Sequence, residues 1–336
     1  MKIIRFLKTD VKIINSYFLF TIVLIILVCV GYSSYALFSF TKTSTNVIEG
    51  TVGELKKSGT DTLIKLTDNT NDSGLYTITH PADNTLQIGN DKDITEYRYR
   101  GASPKNYVTF NNETWRIIGV FPTDDGTGKI ENRIKLIRNA SVGTQFWNST
   151  QVSSTSSYNN WTRATLKTYL NTTYYNTLSN IDEQSMIGNA KYYLGGYTQS
   201  TGISKDMMYQ YERKISGSNT YYYGTNSNSW TGKIGLMYIS DYGYSALASS
   251  CARTTNVSSY RSNNCSGSSW LYGKGIEWTI TPGGTANYVY YIDNYGFVDR
   301  YYAIYGNGIR PVVYLDSTVY KVSGTGSIDS PYIIGM

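Results

Sequence analysis

A single histidine stands in a chain of 336 residues, against 34 tyrosines, three cysteines and six prolines. His80 lies just before Pro81 in a polar stretch, and with no second imidazole to share a metal or relay a proton it reads as a linker residue. Also absent are a zinc-binding His-Glu-x-x-His pair, a Gly-x-Ser-x-Gly nucleophile elbow and a glycine-rich phosphate loop. Acidic residues do not fill the gap. Asp182 and Glu183 are adjacent at a helix start, where the dipole favours them, rather than paired as in a glycosidase. The stretch from Asp124 to Gly128 lacks the ligand spacing of a calcium loop and reads as a turn. The expectation is a protein that is not an enzyme, with no catalytic residue, no metal and no cofactor.

Charge is scarce, at 16% of residues, with a formal net charge of +6. Lys2, Arg5, Lys8 and Lys12 face only Asp10 in the first twelve residues, which leaves 26 Lys+Arg against 23 Asp+Glu for the rest. That near balance argues against a phosphate-binding stripe, and so against a nucleic-acid partner. Between Ile13 and Thr41 charge vanishes altogether, over a run long enough to span a bilayer. By the positive-inside bias residues 1–12 form a cytoplasmic lead, residues 13–41 an anchor or signal peptide, and everything beyond is exported. Ser34-Tyr35-Ala36 also offers the small residues a signal peptidase reads, so two outcomes stay open: membrane anchorage with an extracellular C-terminal domain, or secretion after cleavage at Ala36. Cys29 falls inside the apolar run. Cys251 and Cys265 are the exported pair, and an oxidising exterior permits a disulfide between them.

Residues 42–96 read as a stalk or linker with one short structured piece, Asp61 to Leu66. From Tyr97 the pattern thickens. Tyr107–Phe110, then Asn111-Asn112, then Thr114 to Phe121 describe a hairpin, and Arg133 to Arg138 alternates basic with apolar residues as a half-buried strand does. Trp161 to Leu170 places Leu166, Tyr169 and Leu170 on one helical face, extended by Tyr174 and Leu178, and Ser179 to Asp182 has the spacing of a capping box. Gly235 to Ile239, Glu277 to Thr281, Tyr288 to Ile292 and Gly308 to Leu315 read as strands. Pro311 is confined to a bulge or unpaired edge, and Arg310 should pair with a carboxylate such as Asp241 or Glu277.

What the chain has in abundance is tyrosine beside Asn, Ser and Gly, a mixture that recurs in recognition surfaces. Tyr288, Tyr290, Tyr291, Tyr295, Tyr301, Tyr302 and Tyr305 cluster near the C-terminus. Together with Trp230 and Trp270 they are the candidate ligand-binding residues. Tyrosine is also a good strand former, so each of them has packing as its alternative role.

Two resemblances bear on these readings. Ser34 to Ser39 followed by Thr45 to Thr51 resembles the start of camelysin-type biofilm-matrix precursors of Gram-positive bacteria, which are cut after an equivalent alanine. Tyr97-Arg-Tyr-Arg-Gly101, Asn106 to Asn111, Trp115 to Gly119, Ile134 to Ile137, Trp161 to Asn171, Tyr238 to Gly243, Trp278 to Pro282 and Gly308 to Val312 follow in order. Together they resemble an uncharacterised domain of Firmicutes surface proteins related to C-type-lectin-like and formylglycine-generating-enzyme-like folds. The resemblance implies an α+β, C-type-lectin-like mixed domain over residues 97–336, with small antiparallel sheets, one or two helices and long loops presenting a ligand face. It transfers no chemistry to Cys251 and Cys265. The function expected is an exported, adhesin-like surface module recognising a glycan or protein, the alternative being a structural envelope or biofilm-matrix protein.

Overall fold

The computed structural model describes residues 20–22, 24–27, 57–149, 158–198, 202–216, 226–247, 249, 251–272, 275–284 and 286–336. The chain divides into two compact units, Met1–Lys56 and Lys57–Met336. In the first, the described residues are helical. No helix among the described residues is long and apolar enough to cross a membrane, and most of the 13–41 segment, like the Ala36 cleavage point, lies outside them.

The second unit is α+β and mostly sheet. It begins with helix α1 (Gly59–Ile64) and the antiparallel pair β1 (Gly74–His80) and β2 (Ile94–Arg100). Residues 57–96 are thus part of the folded unit, which corrects the stalk boundary at residue 96. The reason lies in what β1 buries. It buries two aliphatic residues on opposite faces, Leu75 and Ile78, the latter beside Tyr76 and His80, so no alternating aliphatic pattern marks the strand.

Strands β3 (Tyr107–Phe110), β4 (Glu113–Asp124) and β5 (Ile130–Arg138) form a meander. Asn111 and Asn112 turn the first hairpin at φ 53° and 57°, a conformation asparagine tolerates better than most residues. Strand β4 is long enough to pair with β3, β5 and β2 at once. The branch depends on Gly119, where a Cβ would lie 2.0 Å from the Tyr97 carbonyl oxygen. Later segments add β9 (Ile234–Gly235), β14 (Val312–Tyr314), β15 (Tyr320–Ser323) and β16 (Tyr332–Gly335) to this nine-stranded sheet. A second sheet holds β6 (Thr144–Phe146), β10 (Glu277–Gly283), β11 (Tyr288–Ile292), β12 (Val298–Tyr302) and β13 (Gly306–Gly308), with β12 and β6 at its edges. Strands β7 (Ala190–Tyr193) and β8 (Ser229–Gly232) form a small separate pair.

The expected strand from Gly308 to Leu315 is instead two strands in two sheets, with Arg310 and Pro311 at the crossing. Proline cannot donate to either ladder, so the crossing is where it costs least. Arg310 pairs with Glu277 at 2.7 Å, both fully buried. The helical stretch after Trp161 comprises α2 (Thr165–Tyr169) continued by a π turn over Leu170–Tyr174, with Leu166, Leu170 and Tyr174 inward. Helix α3 (Ile181–Ser185) is capped by Asn180, whose side chain accepts from the Glu183 amide, one residue beyond the expected Ser179. Helices α4 (Lys205–Glu212) and α5 (Ile239–Ser245) pack over β1 and β2. The expected strand from Gly235 to Ile239 ends early, and its last residue opens α5.

Between these helices and the large sheet lies a buried ion network. Arg98 donates to Glu96 at 2.8 Å and to Asp241 at 3.0 Å, while Lys135 donates to the other Asp241 oxygen at 2.5 Å. Asp241 also accepts the Tyr238 amide at 2.9 Å and so caps α5. His80 stacks on Tyr209 at 3.6 Å and meets Glu96 at 3.3 Å. An ionised Glu96 only accepts, which places the proton on His80 Nε2. Burial raises both carboxyls, but the neighbouring cations outweigh it and hold Asp241 and Glu96 below their ordinary values. Burial pushes Lys135 down to about 8, against the pull of Asp241. It likewise pushes His80 below its ordinary value, with Glu96 offsetting only part.

Removing one partner from such a network strands the others, so Asp241→Ala should lower the unfolding free energy by about 3–5 kcal/mol in urea denaturation. A loss under about 1 kcal/mol would mean that water replaces the carboxylate. The pH dependence has a definite sign. His80 binds a proton more readily unfolded than folded, so stability present above pH 6.5 declines as pH falls through that value. Glu96 and Asp241 add a second decline below their ordinary values of 4.5 and 3.8. His80→Gln should flatten the first decline alone, and an unchanged slope down to about pH 5 would show that His80 does not carry it.

Candidate functional site

The tyrosine cluster falls on the second sheet, where the pleat divides it. In register, Tyr288 faces Tyr302 across β11 and β12, Tyr290 faces Arg300, and Tyr291 faces Asp299. Successive residues point to opposite faces, so Tyr288 and Tyr302 share one side and Tyr291 and Tyr301 the other. The Tyr288 and Tyr302 ring centroids lie 4.5 Å apart with the planes tilted by 33°, and the side-chain interaction with Tyr302 raises the Tyr288 pKa. On the other side Tyr291 and Tyr301 lie 5.8 Å apart, and each is 6.4 Å from the buried Trp278 beneath them. Tyr305 joins the two groups, 4.9 Å from Tyr301 and 6.0 Å from Tyr302. The assembly wraps the free edge of the sheet, at β12, rather than lining one concave face.

Three of these rings are offered to solvent: Tyr301 and Tyr302 are each 40% exposed and Tyr305 47%. Ile304 beside them is exposed, as is Phe146 of β6, in register with Gly306 of β13. Trp278 donates its indole N–H to the Gln145 carbonyl at 3.0 Å, which locks the platform against β6. The outer rings can therefore meet a partner with little further ordering cost.

The remaining candidates lie elsewhere. Tyr290 is in the core, its hydroxyl donating to the Tyr197 carbonyl at 3.2 Å. Trp270 is also core, donating to the Tyr99 carbonyl at 2.8 Å, with the Arg116 guanidinium 4.5 Å from its ring. Neither can touch a ligand at the surface, so both leave the candidate set. Trp230 is half-buried on β8, packed against Trp161 and Tyr192. Tyr295 is exposed in the turn between β11 and β12, with Arg261 4.3 Å from its ring.

Two adjoining cavities between β1 and α4 escaped the reading of the sequence. One, of about 360 Å³, is lined by His80, Tyr209, Asp206 and Arg253 among others. The other, of about 310 Å³, is lined by Tyr76, Arg100, Lys205, Tyr244, Cys251 and again Arg253. Arg253 donates to Asp206 at 2.6 Å, and Asp206 also accepts from Tyr244 at 2.5 Å. A signal was present in Tyr97-Arg-Tyr-Arg-Gly101. Alternate residues of a strand share a face, so Arg98 and Arg100 had to point together, on the side where Glu96 also lies.

Cys251 and Cys265 are disulfide-bonded, with Cα atoms 5.6 Å apart. Among the described residues no group of three or more His, Cys, Asp or Glu is placed to hold a metal. Searches against family models, curated proteins and solved structures found no significant match to this chain.

Replacing both cysteines with serine should reduce the unfolding free energy by ~3 kcal/mol, the chain-entropy value for a loop of this size. Denaturation midpoints of the variant and the oxidised protein measure it. Coincident midpoints would mean that the bridge constrains nothing in the unfolded chain.

Proposed function

We propose that the chain is an exported surface-binding module that recognises a glycan or a protein through the tyrosine-covered edge of its second sheet. The observation that carries this is the cluster of Tyr301, Tyr302 and Tyr305, half-exposed around the sheet edge, with Tyr301 packed against the buried Trp278. Large amphipathic rings held in place beforehand are the groups that dominate binding hot spots. Their flat faces suit sugar rings, and their hydroxyls suit polar groups at the rim.

The uncharged N-terminal run and its basic lead support export, by membrane anchorage or by secretion. The resemblance from residue 97 onward supports a C-type-lectin-like arrangement, and the mixed sheets with short helices and long connections are compatible with it. At the opposite edge of the same sheet Phe146 on β6 is also exposed.

The test is a glycan array and a panel of cell-surface proteins probed with the full-length chain and with a Tyr301→Ala, Tyr305→Ala variant. A hot-spot tyrosine contributes roughly 2 kcal/mol or more, so the variant should bind at least about thirtyfold more weakly at unchanged stability. Equal binding by both proteins would remove the tyrosine edge from recognition, and an empty panel for the wild type would remove the binding function itself.

A further inference from the structure

The smaller cavity beside β1 carries an unusual charge balance. Among the described residues its charged lining consists of Arg100, Lys205 and Arg253, with no carboxylate. Only Arg253 has a counter-ion, Asp206, and that carboxylate is already shared with the Tyr244 hydroxyl. Among the described residues neither Arg100 nor Lys205 belongs to an ion pair, although they are only 5% and 2% exposed.

Their hydrogen bonds are incomplete as well. Lys205 Nζ donates to one partner, the Cys251 carbonyl at 3.0 Å, and an ammonium has three protons to place. Arg100 uses Nη2 on the carbonyls of Asn69 and Asn71, at 3.2 and 2.8 Å, and lies 4.2 Å from the Tyr76 ring. Its Nε is buried with no hydrogen-bond partner. Burying cations with so few partners is costly unless something negative arrives. Burial already pushes Lys205 down to about 8, against the partial pull of Asp206, the direction expected of a buried ammonium with no carboxylate in direct contact.

The remaining features of the cavity describe what would fit. Asp206 is the direct partner of Arg253, and Asp206 and Asp68 act on Lys205 and Arg100 only at longer range, so the lining keeps an excess of positive charge, which matches a dianion better than a single carboxylate. Arginine and lysine together are the usual donors to tetrahedral oxyanions. A cavity of about 310 Å³ is at the small end for ligand sites, which limits the occupant to one compact unit. Tyr76 and Tyr244 supply walls against which a sugar ring can rest.

We propose that this cavity is a binding site for a phosphate group, held between Arg100 and Lys205, either as inorganic phosphate or as the phosphate ester of a small saccharide. The site is separate from the tyrosine edge and stands or falls independently of it.

The experiment is calorimetric titration of the full-length chain at pH 7.5 and constant ionic strength, with inorganic phosphate, glucose 6-phosphate, glucuronate and acetate in separate arms. Saturable phosphate binding, weakened about tenfold or more by Lys205→Met and by Arg100→Gln, is the expected result. Equal affinity for the two phosphates assigns the free anion. Tighter binding of the ester assigns a phosphorylated saccharide. In parallel, wild-type crystals soaked in tungstate should show an anomalous peak between Arg100 and Lys205, which decides the matter even if a variant fails to fold. No phosphate binding, preference for glucuronate, affinity unchanged in folded variants, or tungstate density elsewhere would each overturn the assignment.

Discussion

Asp241 is the residue on which the rest of the second unit is organised. One carboxylate oxygen takes the guanidinium of Arg98 from β2, and the other takes the ammonium of Lys135 from β5 and the amide that starts α5. Three elements distant in sequence thus meet on a single buried charge. The geometry tolerates little change. A charge in that position is favourable only while both cations stay in place, and each cation is favourable only while the carboxylate does. Mutual dependence of this kind selects one arrangement of sheet and helices over near neighbours that would bury the same apolar area, as matched polar networks do in general.

The same network explains which parts of the fold were legible from residue order. The meander from Tyr107 to Arg138 was readable because its turns use Asn-Asn and Asp-Gly signals and its strands alternate. Yet that alternation was misleading in one respect. Arg133 and Lys135 occupy what reads as the solvent face of β5, and both are buried. Alternation reports that a strand has two different faces. It does not report that the polar face will be covered, because the cover is distant in sequence: Asp241 for Lys135 and the Asn189 carbonyl for Arg133. His80 failed for the same reason: next to proline in a polar stretch it carries no local sign of Tyr209 and Glu96, whose ring and carboxylate make it a core residue.

The tyrosines follow the opposite logic. Their number was plain, but their division was not, since a run such as Tyr288 to Ile292 gives each residue the same local signature. Register decides it. Tyr290 falls opposite Arg300 and over the core, while Tyr301 and Tyr302 fall at the end of an edge strand. The pleat then sends those two to opposite sides, and Tyr305 after the turn closes the gap between them. An exposed tyrosine edge of this kind is built by ending a strand at the right residue, which composition alone does not encode. Arg310 was easier because a cation inside an apolar strand has few solutions, and Glu277 in the neighbouring sheet provides one.

Helix α4 ties the two candidate sites to the network. Its first residue, Lys205, lines the cationic cavity, and its last, Glu212, accepts from the Ser240 amide on α5 and from the Thr281 hydroxyl on β10. At 1.5 Å rise per residue these two lie about 10 Å apart on a rigid element. Glu212 fixes the far end against the strand that carries the tyrosine hairpin, since β10 pairs directly with β11. At the near end, Lys205 is held by the carbonyl of Cys251, whose side chain is disulfide-bonded to Cys265. The cavity is therefore clamped covalently on one wall and electrostatically through the core on the other. Lys205, with no carboxylate in direct contact among the described residues, is thus held between these two ties.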